Sequence, residues 1–136
     1  MPGFIQTDDG GRDILEVYFS TAGLYVELFT DVQPLLDSDD GSTRTLATGG
    51  GYVEKYLNVV PFTVDIVAGI PTALFDEIVW TFTGPLTGNA AVRGYMIMRN
   101  ATVIAEELFA TPFTPVNNGD TWTINLAYAL GNGTPT

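Results

Sequence analysis

The sequence contains no histidine and no cysteine. Without imidazole, a serine or cysteine nucleophile has no histidine base, and a transition metal loses its commonest nitrogen ligand. Without thiols there is neither a disulfide framework nor a thiolate metal site, so stability must come from packing and association. Charge is scarce and lopsided: charged residues are 15% of the 136, with 16 acidic against 5 basic side chains and a net charge of -11. Such a surface repels phosphate backbones and anionic headgroups, which argues against nucleic acid and membrane as partners. No apolar run approaches the roughly 18 residues of a spanning helix. The start, MPGFIQTDDGG, has no basic segment followed by an apolar one and does not read as a secretory signal.

Apolar residues make up 46% of the chain, enough to build a core in one domain of this length. The dominant period is two, the mark of half-buried strands. Leu15, Val17 and Phe19 alternate with Glu16, Tyr18 and Ser20, and Leu24, Val26 and Leu28 alternate with Tyr25, Glu27 and Phe29. Residues 31–51, with Pro34, four glycines and an Asp cluster, read as a long connection holding one short strand near Arg44–Ala47. Tyr52–Val60 fits a strand or a helical turn, although Pro61 disfavours helix at Val60. Strands follow at Phe62–Val67 and Glu77–Thr83. A hairpin joins Val92–Arg99 to Thr102–Phe109 through Asn100-Ala101, and Asp120–Tyr128 is the clearest amphipathic strand. The expectation is an all-β fold, an antiparallel two-sheet sandwich of jelly-roll type with about eight strands.

Carboxylates carry what chemistry remains. Adjacent Glu106 and Glu107 suggest a glycosidase pair, but neighbours on one strand point to opposite faces and cannot flank one bond. No catalytic residue and no cofactor is assigned. Asp37-Ser38-Asp39-Asp40-Gly41 and Asp8-Asp9-Gly10-Gly11 crowd oxygen ligands around a glycine turn. An EF-hand needs Gly sixth and Glu twelfth, however, whereas counting from Asp37 gives Gly41 fifth and Thr48 twelfth. Asp37, Asp39 and Asp40 are thus candidates only for a nonstandard calcium site, against an Asx-rich turn as the plainer reading. Gly49-Gly50-Gly51 lacks the lysine and helix of a phosphate loop and reads as a flexible stretch. Trp80, Trp122, Tyr95 and Tyr128 offer the chemistry of a sugar platform, but Trp80 and Trp122 lie on the most apolar faces of their strands, where core packing is the expectation. Asn100-Ala101-Thr102 matches a glycosylation acceptor without a secretory context.

An ordered set of short motifs adds a setting. Gly23-Leu24-Tyr25-Val26-Glu27-Leu28-Phe29-Thr30, with Pro34 soon after, is followed by Gly51-Tyr52 and Ile78-Val79-Trp80-Thr81-Phe82-Thr83-Gly84. Then come Arg93-Gly94-Tyr95, Glu106-Glu107-Leu108-Phe109 with Pro112, and Asn118-Gly119-Asp120-Thr121. Over residues 23–131 this succession resembles a family of small structural proteins of tailed bacteriophages, of the cyanophage type. The resemblance implies a non-enzymatic virion component with a sandwich or jelly-roll fold: a capsid cement, or decoration, protein on the outer surface of the head. Its partner would be the major capsid protein, and a homotrimer is the favoured assembly. It transfers no catalytic residues. Gly94 before Tyr95 suits a bulge or a close approach between layers, and Gly51 before Tyr52 a turn. Apolar Phe4-Ile5, set off by Asp8–Gly11, makes Pro2, Phe4 and Ile5 the expected docking arm. The chain then divides into an arm at 1–13, a sandwich at 14–131 and a tail at 132–136. The alternative is a tail-associated or receptor- and glycan-binding virion protein that works through loops 31–51 and 111–119.

Overall fold

The computed structural model describes residues 5–21, 23–36, 38 and 40–130. Pro2, Phe4, Asp37, Asp39 and the tail at 132–136 lie outside the described residues. The described residues form an all-β sandwich with one α-helix. Its elements are α1 (Asp8–Phe19), β1 (Leu24–Phe29), β2 (Lys55–Tyr56), β3 (Phe62–Val67), β4 (Ile70–Phe75), β5 (Ile78–Thr81), β6 (Val92–Arg99), β7 (Thr102–Phe113), β8 (Thr121–Ile124) and β9 (Ala127–Ala129). Among the described residues the strands make three antiparallel sheets, in the orders β2-β1-β6-β7, β3-β4-β9 and β5-β8. One hydrophobic core joins them. Leu24, Val26 and Leu28 of β1, Ile97 of β6, Ala73 and Phe75 of β4, Trp80 of β5 and Ile124 of β8 belong to a single buried cluster.

The segment Leu15–Ser20, expected as a strand, is the second half of α1 with its C-cap, Ser20. Both periods fit its apolar residues, and two features decide for the helix. Thr7 is the N-cap, its Oγ1 accepting the Gly10 N–H at 3.1 Å, and Asp8 and Asp9 sit in the first turn, where the helix dipole favours negative charge. Leu15 and Phe19, four residues apart, are each 1% exposed, whereas Val17, which a strand would bury with them, is 64% exposed. Gly11, Leu15 and Phe19 form the inward stripe, with Gly11 packed against Pro71 and the Phe19 ring edge-on to Phe62, Phe75 and Tyr128. Asp8–Gly11 is therefore a helix start rather than a spacer, and residues 8–13 of the expected arm belong to the folded domain.

Three further differences have local causes. Strand β4 has no counterpart in the pattern because Pro71 reads as a breaker; it sits second in the strand, beside the tight Ala68-Gly69 turn, where both residues have positive φ. The run Asp120–Tyr128 keeps its alternation but changes sheets at Asn125-Leu126, so β8 pairs with β5 and β9 with β4. Gly49, Gly50 and Gly51 are a left-handed turn with φ of 76, 57 and 74°, not a flexible stretch. It is locked onto residues 83–87 by Thr83 N–H to Gly50 O and Thr87 N–H to Thr48 O, both 2.8 Å. The β6–β7 hairpin through Asn100-Ala101 forms as expected, with β7 running on to Phe113. Arg44–Ala47 contributes a single bridge, Leu46 to Phe29.

Candidate functional site

The four-stranded sheet has two different faces. Leu24, Val26, Leu28 and Ile97 enter the main core, while the opposite, outer face carries its own small cluster of Phe29, Met96 and Met98 with Tyr25 and Val103 against it. The register sets the outer face out in rows: Tyr25 opposite Met98 opposite Val103, Glu27 opposite Met96 opposite Glu106, and Phe29 opposite Gly94. Gly94 is a requirement of this face. An added methyl would overlap the Phe29 ring and the Glu107 carbonyl oxygen, and the ladder shifts register beside it. The glycine thus serves the bulge expected of it, while the close approach is to Phe29 and Glu107 on neighbouring strands of its own sheet and not to another layer.

Arg44 fastens the long 31–46 segment onto this face. Its side chain is fully buried, with the guanidinium 4.3 Å from the Phe29 ring centroid. Nη1 donates to Asp31 Oδ2 at 2.8 Å and to the Gln33 carbonyl at 2.7 Å. Nε donates to Glu106 Oε2 at 3.1 Å and Nη2 to the Pro34 carbonyl at 3.2 Å. A planar, weakly hydrated fork suits such a seat better than an ammonium. Burial raises the Asp31 pKa, but the Thr45 N–H, the Arg44 guanidinium and the Gln33 N–H outweigh it and hold the carboxyl below its ordinary value. Glu106 is an internal partner because Arg44 folds over it.

Glu27, at the other end of the same row, is treated differently. Its Oε2 accepts from the Tyr52 hydroxyl at 2.7 Å, and the same oxygen of Tyr52 accepts the Leu28 N–H at 2.9 Å. Burial pushes the Glu27 pKa up, the Tyr52 hydrogen bond opposes this, and the charge of Glu54 adds to the rise. A cavity of about 470 Å³ opens between this row and the 40–46 turn, lined by Tyr25, Glu27, Asp40, Leu46, Met96 and Met98 among others.

The other candidates are dispersed. Ile5 is 83% exposed just ahead of the Thr7 cap. Asp40 Oδ1 accepts the Ser42 N–H at 2.9 Å in an Asx turn, and no group of three or more potential metal ligands occurs among the described residues. Glu107 points away from Glu106, accepting from the Tyr95 hydroxyl at 3.0 Å; burial first and then this carboxylate push the Tyr95 pKa up. Trp80 is a core residue donating Nε1 to the Val53 carbonyl at 2.9 Å, and Tyr128 packs on Phe19. Trp122 stacks on Phe113 and, with Tyr95, Glu107, Phe109 and Asn125, lines a cleft of about 290 Å³. Asn100 occupies the hairpin turn, its carbonyl taking the Tyr25 hydroxyl at 2.6 Å.

The Arg44 clamp and the Glu27 cavity escaped sequence reasoning. The available signal was the outward set Glu27, Phe29 and Asp31, an acid-aromatic-acid alternation ahead of a lone arginine. No protein-family model matches the chain, and neither does any curated protein or solved structure, so the roles of these residues rest on their own geometry.

Proposed function

We propose that this chain is a structural protein of a tailed-phage virion, a cement protein that binds the outer surface of the head and strengthens contacts between major capsid proteins. It works by buried contact area rather than by catalysis, as a homo-oligomer, with a trimer favoured. The observation that carries this reading is its exposed apolar surface. Among the described residues, Ile14 and Val17 on α1, Val67, Ile70 and Leu74 on the outward face of β3–β4, and Leu36 in the long loop are all solvent-exposed. Large exposed hydrophobics on helix, sheet and loop of a chain with so few charges suit a protein that is covered by others. About 800 Å² buried per contact, repeated over many copies, stabilises a pressurised shell without chemistry. The net charge of -11 favours the outside of a head whose interior is packed with phosphates.

Pro2, Phe4 and Ile5 are proposed as the docking arm, leading into the Thr7 cap. Cosedimentation with purified expanded heads tests the reading. The intact chain should pellet with the heads at a fixed stoichiometry, and deletion of residues 2–5, which spares Thr7, should lower occupancy. A chain that stays in the supernatant contradicts the proposal. A receptor- or glycan-binding tail protein is the second reading, and the cleft of Tyr95, Glu107, Phe109, Trp122 and Asn125 favours it, since aromatic walls with a carboxylate and an amide suit sugar hydroxyls.

A further inference from the structure

We propose that the cavity beside Met96, on the outer face of the four-stranded sheet, receives a lysine or arginine side chain from the protein to which this chain docks. The partner is taken from the assembly reading above; the chemistry of the cavity is independent of it. The face already shows how it holds a cation. Across the sheet, Met96 of β6 is flanked by Glu27 of β1 on one side and Glu106 of β7 on the other. On the Glu106 side, the guanidinium of Arg44 lies over Phe29 between two carboxylates. On the Glu27 side the same ingredients recur: Met96 and Met98 as floor, the Tyr25 ring and Leu46 as walls, and the carboxylates of Glu27 and Asp40, around a space of about 470 Å³.

Among the described residues no cation is paired with Glu27 or Asp40. Among the described residues the ion pairs are those of Arg44 with Asp31 and Glu106, and the nearby charge that acts on Glu27 is the like charge of Glu54. An apolar floor takes the methylene stem of a basic side chain, while carboxylates meet its charged end. The charge balance of the molecule agrees. Only 5 basic residues offset 16 acidic ones, and Arg44 is fully buried, so a complementary surface is basic.

Two measurements test this. The sequence has three methionines, Met1, Met96 and Met98, so methyl-labelled protein gives three signals, two of them at the cavity. Titration with ethylguanidinium or n-butylammonium chloride should move the Met96 and Met98 signals beyond a sodium chloride control. The Glu27→Gln, Asp40→Asn double variant should suppress the movement, and Glu27→Gln alone, which keeps an acceptor for Tyr52, should weaken it. No movement beyond the salt control, or equal movement in the variants, overturns the proposal. On expanded heads the double variant should bind about tenfold more weakly, with a shallower salt dependence; undiminished binding also overturns it. Failure of the intact chain to bind heads would contradict the assembly reading instead, leaving the methionine signals to decide on the cavity.

Discussion

Arg44 Nη1 lies 2.8 Å from Asp31 Oδ2 with the arginine side chain fully buried, so one ion pair closes the loop between residues 31 and 44 onto the outer face of the sheet. Glu106 shares the same guanidinium at 3.1 Å. Removing the cation strands two largely buried carboxylates. Arg44→Ala should therefore destabilise the fold by about 3 kcal/mol, as breaking a buried pair does. Neutralising the partners as well, in Arg44→Met with Asp31→Asn and Glu106→Gln, should recover much of that loss. Urea unfolding of the single and triple variants checks both expectations.

Acid should act on the same pair. The Asp31 pKa is lowered in the folded state, so the unfolded state binds more protons in the window between the folded and unfolded values. Its contribution is present above the unfolded carboxylate pKa of about 3.9 and is lost as pH falls through the folded one. Early proteolytic cleavage within 31–46 at pH 3, before global unfolding, is the expected readout.

Glu27 has the opposite sign. Its folded pKa is raised, so the folded state holds the proton more tightly, and stability from this group falls as pH rises from the ordinary carboxylate value through the raised one. Glu27→Gln should raise the urea midpoint at pH 7 and lose that advantage near pH 4. A carboxylate that costs stability in the free chain is understandable if a partner's cation neutralises it.

Helix α1 gives a test by position. Leu15→Ala should cost about 3 kcal/mol as a buried deletion, Thr7→Ala about 1 kcal/mol as a lost cap, and Val17→Ser less than about 1 kcal/mol because Val17 faces solvent. A strand would make Val17 as costly as Leu15. Thermal unfolding of the three variants distinguishes the two.

At Gly94 the added methyl of Gly94→Ala meets the Phe29 ring and a backbone oxygen. The expected loss is about 3 kcal/mol, at the upper end for overpacking. Phe29→Leu in the same chain should return only part of it, because the Glu107 carbonyl cannot move away.

Period-two alternation made the sheets legible from residues alone. The β6–β7 hairpin, the inward Leu24, Val26 and Leu28, and the divergence of Glu106 from Glu107 all follow from it. The helix was hidden because Leu15 and Phe19 satisfy both periods, and only the Thr7 cap and the exposure of Val17 separate them. Pro71 masked β4, because a proline in a central strand is tolerated only through its place beside a turn. The Arg44 clamp is nonlocal: its partners lie 13 and 62 residues away in the chain, a separation that no local pattern encodes.

We propose that the chain covers the outside of a phage head. Electron cryomicroscopy of the intact particle tests it most directly. The expected map shows this fold in many copies at regular lattice positions on the outer capsid surface, with the four-stranded sheet's outer face against basic residues of the capsid protein. Its absence from the head, or a few copies confined to the tail, would contradict it.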